Sequence, residues 1–499
     1  MDQSTFAHPT YRSSRILRRP RLAISERRLL LITGDLLLIV SSVLGALLVW
    51  TQWTDRMLDW SLWGEQGFWA GFISTGWLLW LVLSDMYNLR RAFDISSTVQ
   101  RIFCGGLVIA LAYLIVFFVS SPAPILGSGP SILPRLTPTG LLPRLAPGIA
   151  IIATTAMLSV WRTSYAVALR GSAMRRRVLI VGAGKAGSAL STTILQDHRD
   201  HYDIVGFVDD DVDKQAGYVN TIPVLGGHEL LTHLADQQRI DEIAIAISAH
   251  VEGSLFQAIM YCYEQGVAIT PMPLLYERLT GKVPVEHIGS QWYVALPLQQ
   301  HAASNFLTVV RRVVDIVFGL LVGLVFVLFA PFIALAIRLD SPGSIFYSQE
   351  RAGLHGRPFT IRKFRSMIQD AEHAGQPQWA TKDDHRITRT GRILRKTRLD
   401  ELPQVLNVLR GDMSLVGPRP ERPQFIEQLQ QEIPFYRTRL AVKPGLTGWA
   451  QVNYGYGATV EDALVKLQYD LYYIKHQSPW LDLLVLLRTI SVILRMKGQ

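Results

Sequence analysis

Cysteine is almost missing from this chain: Cys104 and Cys262 are the only two in 499 residues. That excludes a disulfide framework and a zinc site built on cysteine pairs. Charge is scarce as well, with 18% charged residues against 49% hydrophobic ones, and the hydrophobic residues are clumped. The N-terminal segment is also too basic and polar to be expected to act as a cleavable signal peptide. The first 28 residues carry Arg12, Arg15, Arg18, Arg19, Arg21, Arg27 and Arg28 with no cleavage site after them. The charge that is present leans one way, to a formal net +10. Such a balance suits anionic lipid, nucleic acid or phosphorylated substrates. A chain of this length is expected to hold two or three domains.

Four apolar stretches come early: Leu29 to Trp50, Phe68 to Leu83, Cys104 to Val119 and Ile149 to Leu169. The first is long enough to span a bilayer core, and the others approach that length. Their flanks alternate in charge. Arginines precede the first stretch, Arg90, Arg91 and Arg101 follow the second, and Arg170, Arg175, Arg176 and Arg177 follow the fourth. Asp55, Asp59 and Glu65 lie between the first two. The positive-inside bias puts both ends of a four-helix transmembrane unit, residues 29–170, in the cytoplasm, after a basic cytoplasmic segment, 1–28.

From Arg175 the texture changes. RRRVLIVGAGKAGSAL reads as a buried strand, a glycine turn and a helix. YDIVGFVDDD, TIPVLGG, DEIAIAIS and GVAITPMP supply further short strands between polar helical segments. That alternation predicts a parallel sheet with flanking helices, a Rossmann-like domain over 175–297. Gly182, Gly184 and Gly187 have the spacing of a dinucleotide-binding turn, with Asp209 to Asp211 after the next strand. The same glycines also serve tight strand-helix packing, so the fold is better specified than a bound nucleotide. The segment has no Tyr-x-x-x-Lys pair, which leaves a redox role unsupported.

Apolar sequence returns from Val313 to Leu339, broken by Pro331. Beyond it a basic, loop-rich region carries four strings. They are DSPGSIFYSQERAG with FTIRKFRSM, RKTRLDELPQVLNVLRGDMSLVGPRPE, KPGLTGWAQV, and LQYDLYYIKH leading to Asp482. The chain ends in an apolar segment, WLDLLVLLRTISVILRMKG, suited to a membrane interface or a core. Within the second string, Leu399, Leu402, Val405, Leu406 and Leu409 fall at helical spacing. Asp400 and Glu401 would project from that helix's N-terminus, where carboxylates are favoured and where simple capping would also put them.

These four strings resemble the signatures of the bacterial polyprenyl-phosphate hexose-1-phosphate transferases of exopolysaccharide and O-antigen assembly. The resemblance covers roughly Thr308 to Gly498, and the helices plus Rossmann-like domain match the long form of that family. It implies three parts: a four-helix membrane bundle, the α/β Rossmann-like domain, and an α/β catalytic domain, 306–499, on a re-entrant membrane helix, 313–339. It implies transfer of hexose-1-phosphate from a UDP-sugar, UDP-glucose or UDP-galactose by family, to undecaprenyl phosphate with release of UMP.

By resemblance Asp400 is the nucleophile that forms a phosphosugar-enzyme intermediate, and Glu401 holds Mg²⁺. Arg419, Lys363, Arg365 and Asp482 match positions around substrate phosphate and nucleotide, and Pro331 matches the break in the membrane helix. The family's usual Asn-Gly-Arg after Gln-Val is replaced here by QVNYGYGATVED, so the sugar does not carry over.

The expected location is the bacterial inner membrane with the catalytic domain on the cytoplasmic face. No nucleic-acid partner is expected, and a homo-oligomer such as a dimer stays open. Two other readings compete. A nucleotide-sugar oxidoreductase or dehydratase built on the glycine turn would leave the DELPQ and GPRP strings unexplained. A membrane regulator gated by the Rossmann-like domain would need polar pore-lining residues, of which the four stretches have few.

Overall fold

A computed structural model describes residues 24–53, 60–120, 145–169, 175–247, 253–287, 305–368, 384–455, 457 and 459–494. The N-terminal unit holds α1 (Ile24–Trp53), α2 (Trp60–Leu83), α3 (Ile95–Ser120) and α4 (Leu145–Leu169). Each is apolar nearly all round, as a helix must be when one side meets its neighbours and the other meets lipid. Trp69, Ile73, Trp77, Leu81, Ile102, Ile109 and Leu158 form the shared core, while Leu37, Phe118 and Ile152 point outward. One end of the bundle is closed by charge. Arg162 on α4 pairs with Asp35 on α1 and donates to the Met86 carbonyl at 2.7 Å, all three buried. A buried ion pair adds little net stability over an apolar contact, but it fixes which helix faces which.

The middle unit is a six-stranded sheet of β1 (Arg176–Val181), β2 (Tyr202–Val208), β3 (Tyr218–Val219), β4 (Ile222–Gly226), β5 (Glu242–Ile245) and β6 (Ala268–Pro271). The order is β3-β4-β2-β1-β5-β6. Five strands run parallel, as the alternating pattern predicts. The sixth, β3, is a two-residue edge paired antiparallel to β4, so the sheet is mixed. Helices α5 (Lys185–Asp197), α6 (Leu231–Gln237), α7 (Gly253–Glu264) and α8 (Met272–Thr280) flank it. Apolar clusters fill both faces of the sheet, as parallel strands require.

The C-terminal unit begins with α9, Asn305–Asp340, 36 residues long. Pro331 lies inside this helix, where its missing N–H removes one backbone bond and lets the helix bend without ending. After it come the antiparallel hairpin β7 (Phe346–Ala352) and β8 (Pro358–Phe364), then α10 (Arg389–Thr397), a 3-10 turn at Leu399–Gln404, and α11 (Val405–Arg410). The parallel pair β9 (Ser414–Val416) and β10 (Gly445–Thr447) brackets α12 (Pro423–Glu432). Helices α13 (Trp449–Asn453), α14 (Val460–Lys475) and α15 (Pro479–Leu494) complete it. Among the described residues, five helices (α1 to α4 and α9) are long and apolar enough to cross a membrane.

The three units are fastened together. Arg27 of α1 meets His201 of the middle unit at 3.1 Å. Burial, followed by the charge of Arg27, pushes the His201 pKa down to about 3, so the ring stays neutral. Trp449 donates to the Gly281 carbonyl at 3.0 Å, and Lys475 and His476 meet the buried Glu277 at 2.9 and 3.1 Å. Arg488 of α15 reaches Asp85, in the turn after α2, at 3.2 Å.

Candidate active site

The β7–β8 hairpin presents a row of polar side chains. Residues two apart on a strand share a face, and Tyr347, Gln349 and Arg351 line one side of a cavity together with Lys363 and Arg365 across the hairpin. The acidic pair faces them from the 3-10 turn at Leu399–Gln404. Arg398 ends α10 in the left-handed region, at φ 60°, and this reversal aims Asp400 and Glu401 inward. The sequence placed the pair at a helix start. They occupy the first turn of a 3-10 segment, Leu399–Gln404, that runs directly into α11.

A third wall is the Gly417–Glu421 loop. Gly417 packs directly on the 443–445 backbone, where an added Cβ would meet the Lys443 carbonyl oxygen at 2.5 Å. The GPRP and KPGLTG strings are therefore one structural object, joined by β9 and β10. Arg419 projects from this loop. The cavity is about 700 Å³, and its far side is lined by Arg422, Tyr436, Arg439, Gln451, Tyr454, Lys466 and Asp470.

The electrostatics of the two carboxylates diverge. Glu401 accepts from Lys363 at 2.9 Å and Arg419 at 2.6 Å, with Arg398 at 3.8 Å. Burial acts to raise its pKa, but Arg419, Lys363 and Arg398 overcome this and hold it well below the usual carboxylate range. Asp400 is equally buried, at 7% exposure, and among the described residues its carboxylate has no hydrogen-bond or ion-pair partner. Burial first, and then the Glu401 charge, raises its pKa to about 6. Near neutral pH it is a mostly ionised carboxylate, more basic than usual and free to meet an electrophile.

Of the other expected site residues, Lys363 and Arg419 join this cluster. Arg365 lines the cavity, but its guanidinium clamps the turn after α9, donating to the Pro342 carbonyl at 2.8 Å and the Ser341 carbonyl at 2.7 Å. Asp482 is not brought into the cavity. It bonds Arg311 at 3.0 Å and the Tyr473 hydroxyl at 2.7 Å, fastening the start of α15 to the start of α9.

The glycine turn of the middle unit has a structural explanation. Gly182 has φ +110°, and a Cβ on Gly187 would strike the Gly182 carbonyl oxygen. Asp209 accepts from the Ala183 amide at 2.7 Å, occupying a loop N–H that a phosphate would otherwise use. Arg351, Arg439 and Lys466 escaped the sequence reading as site residues. For Arg351 the two-residue alternation along β7 was the available signal.

The bacterial sugar transferase family matches residues 306–496, and a CoA-binding domain family matches residues 144–273, which takes in α4 as well as all six strands of the sheet. The UDP-glucose:undecaprenyl-phosphate glucose-1-phosphate transferase of Caulobacter vibrioides is 46% identical over 191 residues, 37% of this chain and 69% of that protein. The chain belongs to the bacterial sugar transferase family. Two other relatives carry a different sugar in their names. The UDP-N-acetylgalactosamine-undecaprenyl-phosphate N-acetylgalactosaminephosphotransferase of Aeromonas hydrophila is 44% identical over 44% of this chain and 50% of its own length. The putative undecaprenyl-phosphate N-acetylgalactosaminyl 1-phosphate transferase of Bacillus subtilis is 52% identical over 26% of this chain and 73% of its own length. The chain spans 42–59% of the length of several further curated relatives.

Proposed function

We propose that this chain transfers a hexose-1-phosphate from a UDP-sugar to undecaprenyl phosphate, with Asp400 as nucleophile. The observation that carries the reading is the inequality of the acidic pair. One carboxylate is tied to three cations and its neighbour is buried with none bonded to it. In the first step an Asp400 oxygen attacks the phosphorus that bears the sugar. The P–O bond to UMP breaks, and UMP leaves with the electron pair. In the second step a lipid-phosphate oxygen attacks the same phosphorus and expels the Asp400 carboxylate. Phosphoanhydride is exchanged for phosphoanhydride, so no ATP is needed. Lys363, Arg398 and Arg419 are preorganised where charge builds on the phosphoryl oxygens.

The reading includes Mg²⁺ of the kind that takes one or two carboxylates and draws its other ligands from water and phosphate; Glu401 and Asp400 are the carboxylates of the acidic pair in the cavity. Glu401 would hold the ion, and the ion would neutralise pyrophosphate charge. The relatives named for glucose and for N-acetylgalactosamine leave the hexose to a panel of UDP-sugars.

The topology follows from the two ends of α9. A straight 36-residue helix is about 54 Å long, enough to span a bilayer. Yet Arg312 donates to the Val408 and Leu409 carbonyls, and Asp315 accepts from the Leu415 amide. At the other end Asp340 accepts from the Thr390 amide. Both ends are thus tied to one charged stretch, 390–415, which no bilayer can divide. This supports a helix that enters the cytoplasmic leaflet and returns, with Asp400 at the membrane surface. Both flanks are basic, which agrees with the positive-inside rule.

The test of the chemistry is UMP release from UDP-sugars in nanodiscs containing undecaprenyl phosphate. Label from a β-phosphate-labelled donor should enter the protein, and Asp400→Asn should abolish both signals. Near-normal transfer by that variant would sink the covalent route. For topology, Ser304→Cys and Ser344→Cys in a background without Cys104 and Cys262 should both resist an impermeant thiol reagent in intact cells. Labelling of position 344 from outside would show a crossing helix.

A further inference from the structure

Arg439 lies in no acidic cluster of the sequence and stands 20 residues beyond Arg419, yet it is a fully engaged cation of the cavity wall. It is 6% exposed. Its Nη1 donates to the Tyr436 hydroxyl at 2.7 Å, and its Nη2 donates to Asp470 at 2.9 Å and to the Arg419 carbonyl at 3.0 Å. Asp470, on α14, is 1% exposed.

The loop that carries Arg419 has an unusual need for such a partner. Pro418 and Pro420 have no N–H, so at those two residues the backbone is held through its carbonyls. All three carbonyls from Pro418 to Pro420 are held. The Pro418 carbonyl accepts from the Gly445 amide at 2.9 Å, the Pro420 carbonyl from Arg351 at 3.1 Å, and the Arg419 carbonyl from Arg439. Arg439 is the one that grips the residue whose side chain meets Glu401. A buried ion pair such as Arg439–Asp470 contributes little net stability over an apolar pair of the same volume. Its planar fork, in contrast, fixes direction well.

Resting on the transferase reading above, we propose that Arg439, braced by Asp470 and Tyr436, is a positioning residue for the transfer. It fixes the Arg419 carbonyl and thereby aims the Arg419 guanidinium at the phosphoryl group. It acts through Arg419 and touches no reacting atom.

The experiment is a double-mutant cycle on the full chain in nanodiscs, read as kcat/KM for UMP release with the best donor of the UDP-sugar panel. Arg439→Met, Arg439→Lys and Tyr436→Phe are each made in the wild-type chain and in Arg419→Ala. A shift of the guanidinium by about 1 Å should cost Arg439→Met about 10- to 100-fold. Arg439→Lys should recover part of that loss. Tyr436→Phe removes one acceptor, keeps the ring, and should cost about two- to fivefold. In the Arg419→Ala background each of these changes should shrink to less than about twofold, since residues that act as a unit are non-additive.

If Arg439→Met does not fold, the Tyr436→Phe cycle carries the same test at smaller amplitude. Equal losses in both backgrounds, or no loss in the wild-type chain, overturn the proposal while leaving the transferase reading intact. Wild-type activity in Arg419→Ala would overturn the assigned role of Arg419 and the proposal with it.

Discussion

Two buried glutamates, one in the middle unit and one in the catalytic unit, have almost the same surroundings and different meanings. Glu242 on β5 is fully buried and meets Arg176 at 2.9 Å, Arg278 at 3.2 Å, the Thr270 hydroxyl at 2.6 Å and the Tyr202 hydroxyl at 3.3 Å. Glu401 is buried against Lys363, Arg419 and Arg398. Burial and multiple cations therefore do not mark a site. What separates them is the neighbour. Glu242 has donors on both oxygens and a place in a packed sheet, and the acid beside it, Asp241, accepts from the Arg177 amide at 2.7 Å. Glu401 stands next to a second buried carboxylate with no partner, at the wall of a cavity of about 700 Å³. A staple is a satisfied acid, and a site is where satisfaction stops one residue short.

The sharpest break of this comparison is at Asp400. Asp400→Asn should lower turnover by at least about 10³-fold, as loss of a nucleophile does. It should also stabilise the fold. Because the folded pKa is raised to about 6 from 3.8, protonation favours the folded state. The stabilising protonated form is fully present below pH 3.8 and lost as pH rises through about 6. The amide mimics that form, so the variant's melting temperature in EDTA should exceed wild type at pH 7, with the gap closing near pH 4. A lower melting temperature at pH 7 would show that Asp400 is a structural anchor.

Next in size are the paired substitutions Glu401→Gln and Glu242→Gln. Removing one charge from a buried pair costs about 3–5 kcal/mol, because the partner cations are left uncompensated. Both variants should melt earlier. Only Glu401→Gln should also lower the kcat of the protein that remains folded, with a dependence on Mg²⁺ concentration. Equal kcat in the two folded variants would erase the distinction drawn here.

The pH profile gives a smaller effect. Attack needs the Asp400 carboxylate, so kcat/KM should be flat above about pH 6 and fall about tenfold per unit below it. A profile flat down to pH 4.5 would remove the raised pKa from the account.

Much of this was legible in the sequence because each readable feature is local. The four apolar runs gave α1 to α4, the alternating texture gave the parallel part of the sheet, and the DELPQ and GPRP strings gave Asp400, Glu401 and Arg419. The unread part is long-range. Arg439 and Arg351 bond carbonyls 20 and 69 residues away, and no spacing encodes that. Asp482 matched by string, but its partner Arg311 lies 171 positions upstream, at the head of α9. The two-residue β3 is too short to have a pattern. Pro331 is legible as a local weak point, but the packing around it is not: Ile333 and Ile337 just beyond it are buried against Phe364 and Leu394.

The smallest effect tests whether the middle unit is only a staple to the catalytic one. Trp449 opens α13, whose next residues, Ala450 and Gln451, line the cavity. Its indole N–H bonds the Gly281 carbonyl of the middle unit, its ring stacks on Tyr472 at 5.8 Å, and Arg488 lies 4.9 Å over it. Arg488 also bonds Asn453 at 2.6 Å and Asp85 of the membrane unit. The cavity wall is thus held from behind by both N-terminal units, although neither supplies a residue to the acidic pair. Trp449→Phe keeps the stack and deletes one hydrogen bond, which should cost about 1 kcal/mol of stability. Transfer should fall by no more than about threefold, through looser placement of Gln451. A truncation beginning near Asn305 loses the Gly281, Glu277 and Asp85 contacts together. It should melt earlier than Trp449→Phe and still release UMP in nanodiscs. Complete loss of transfer in a truncation that remains folded would move part of the active site into the N-terminal units.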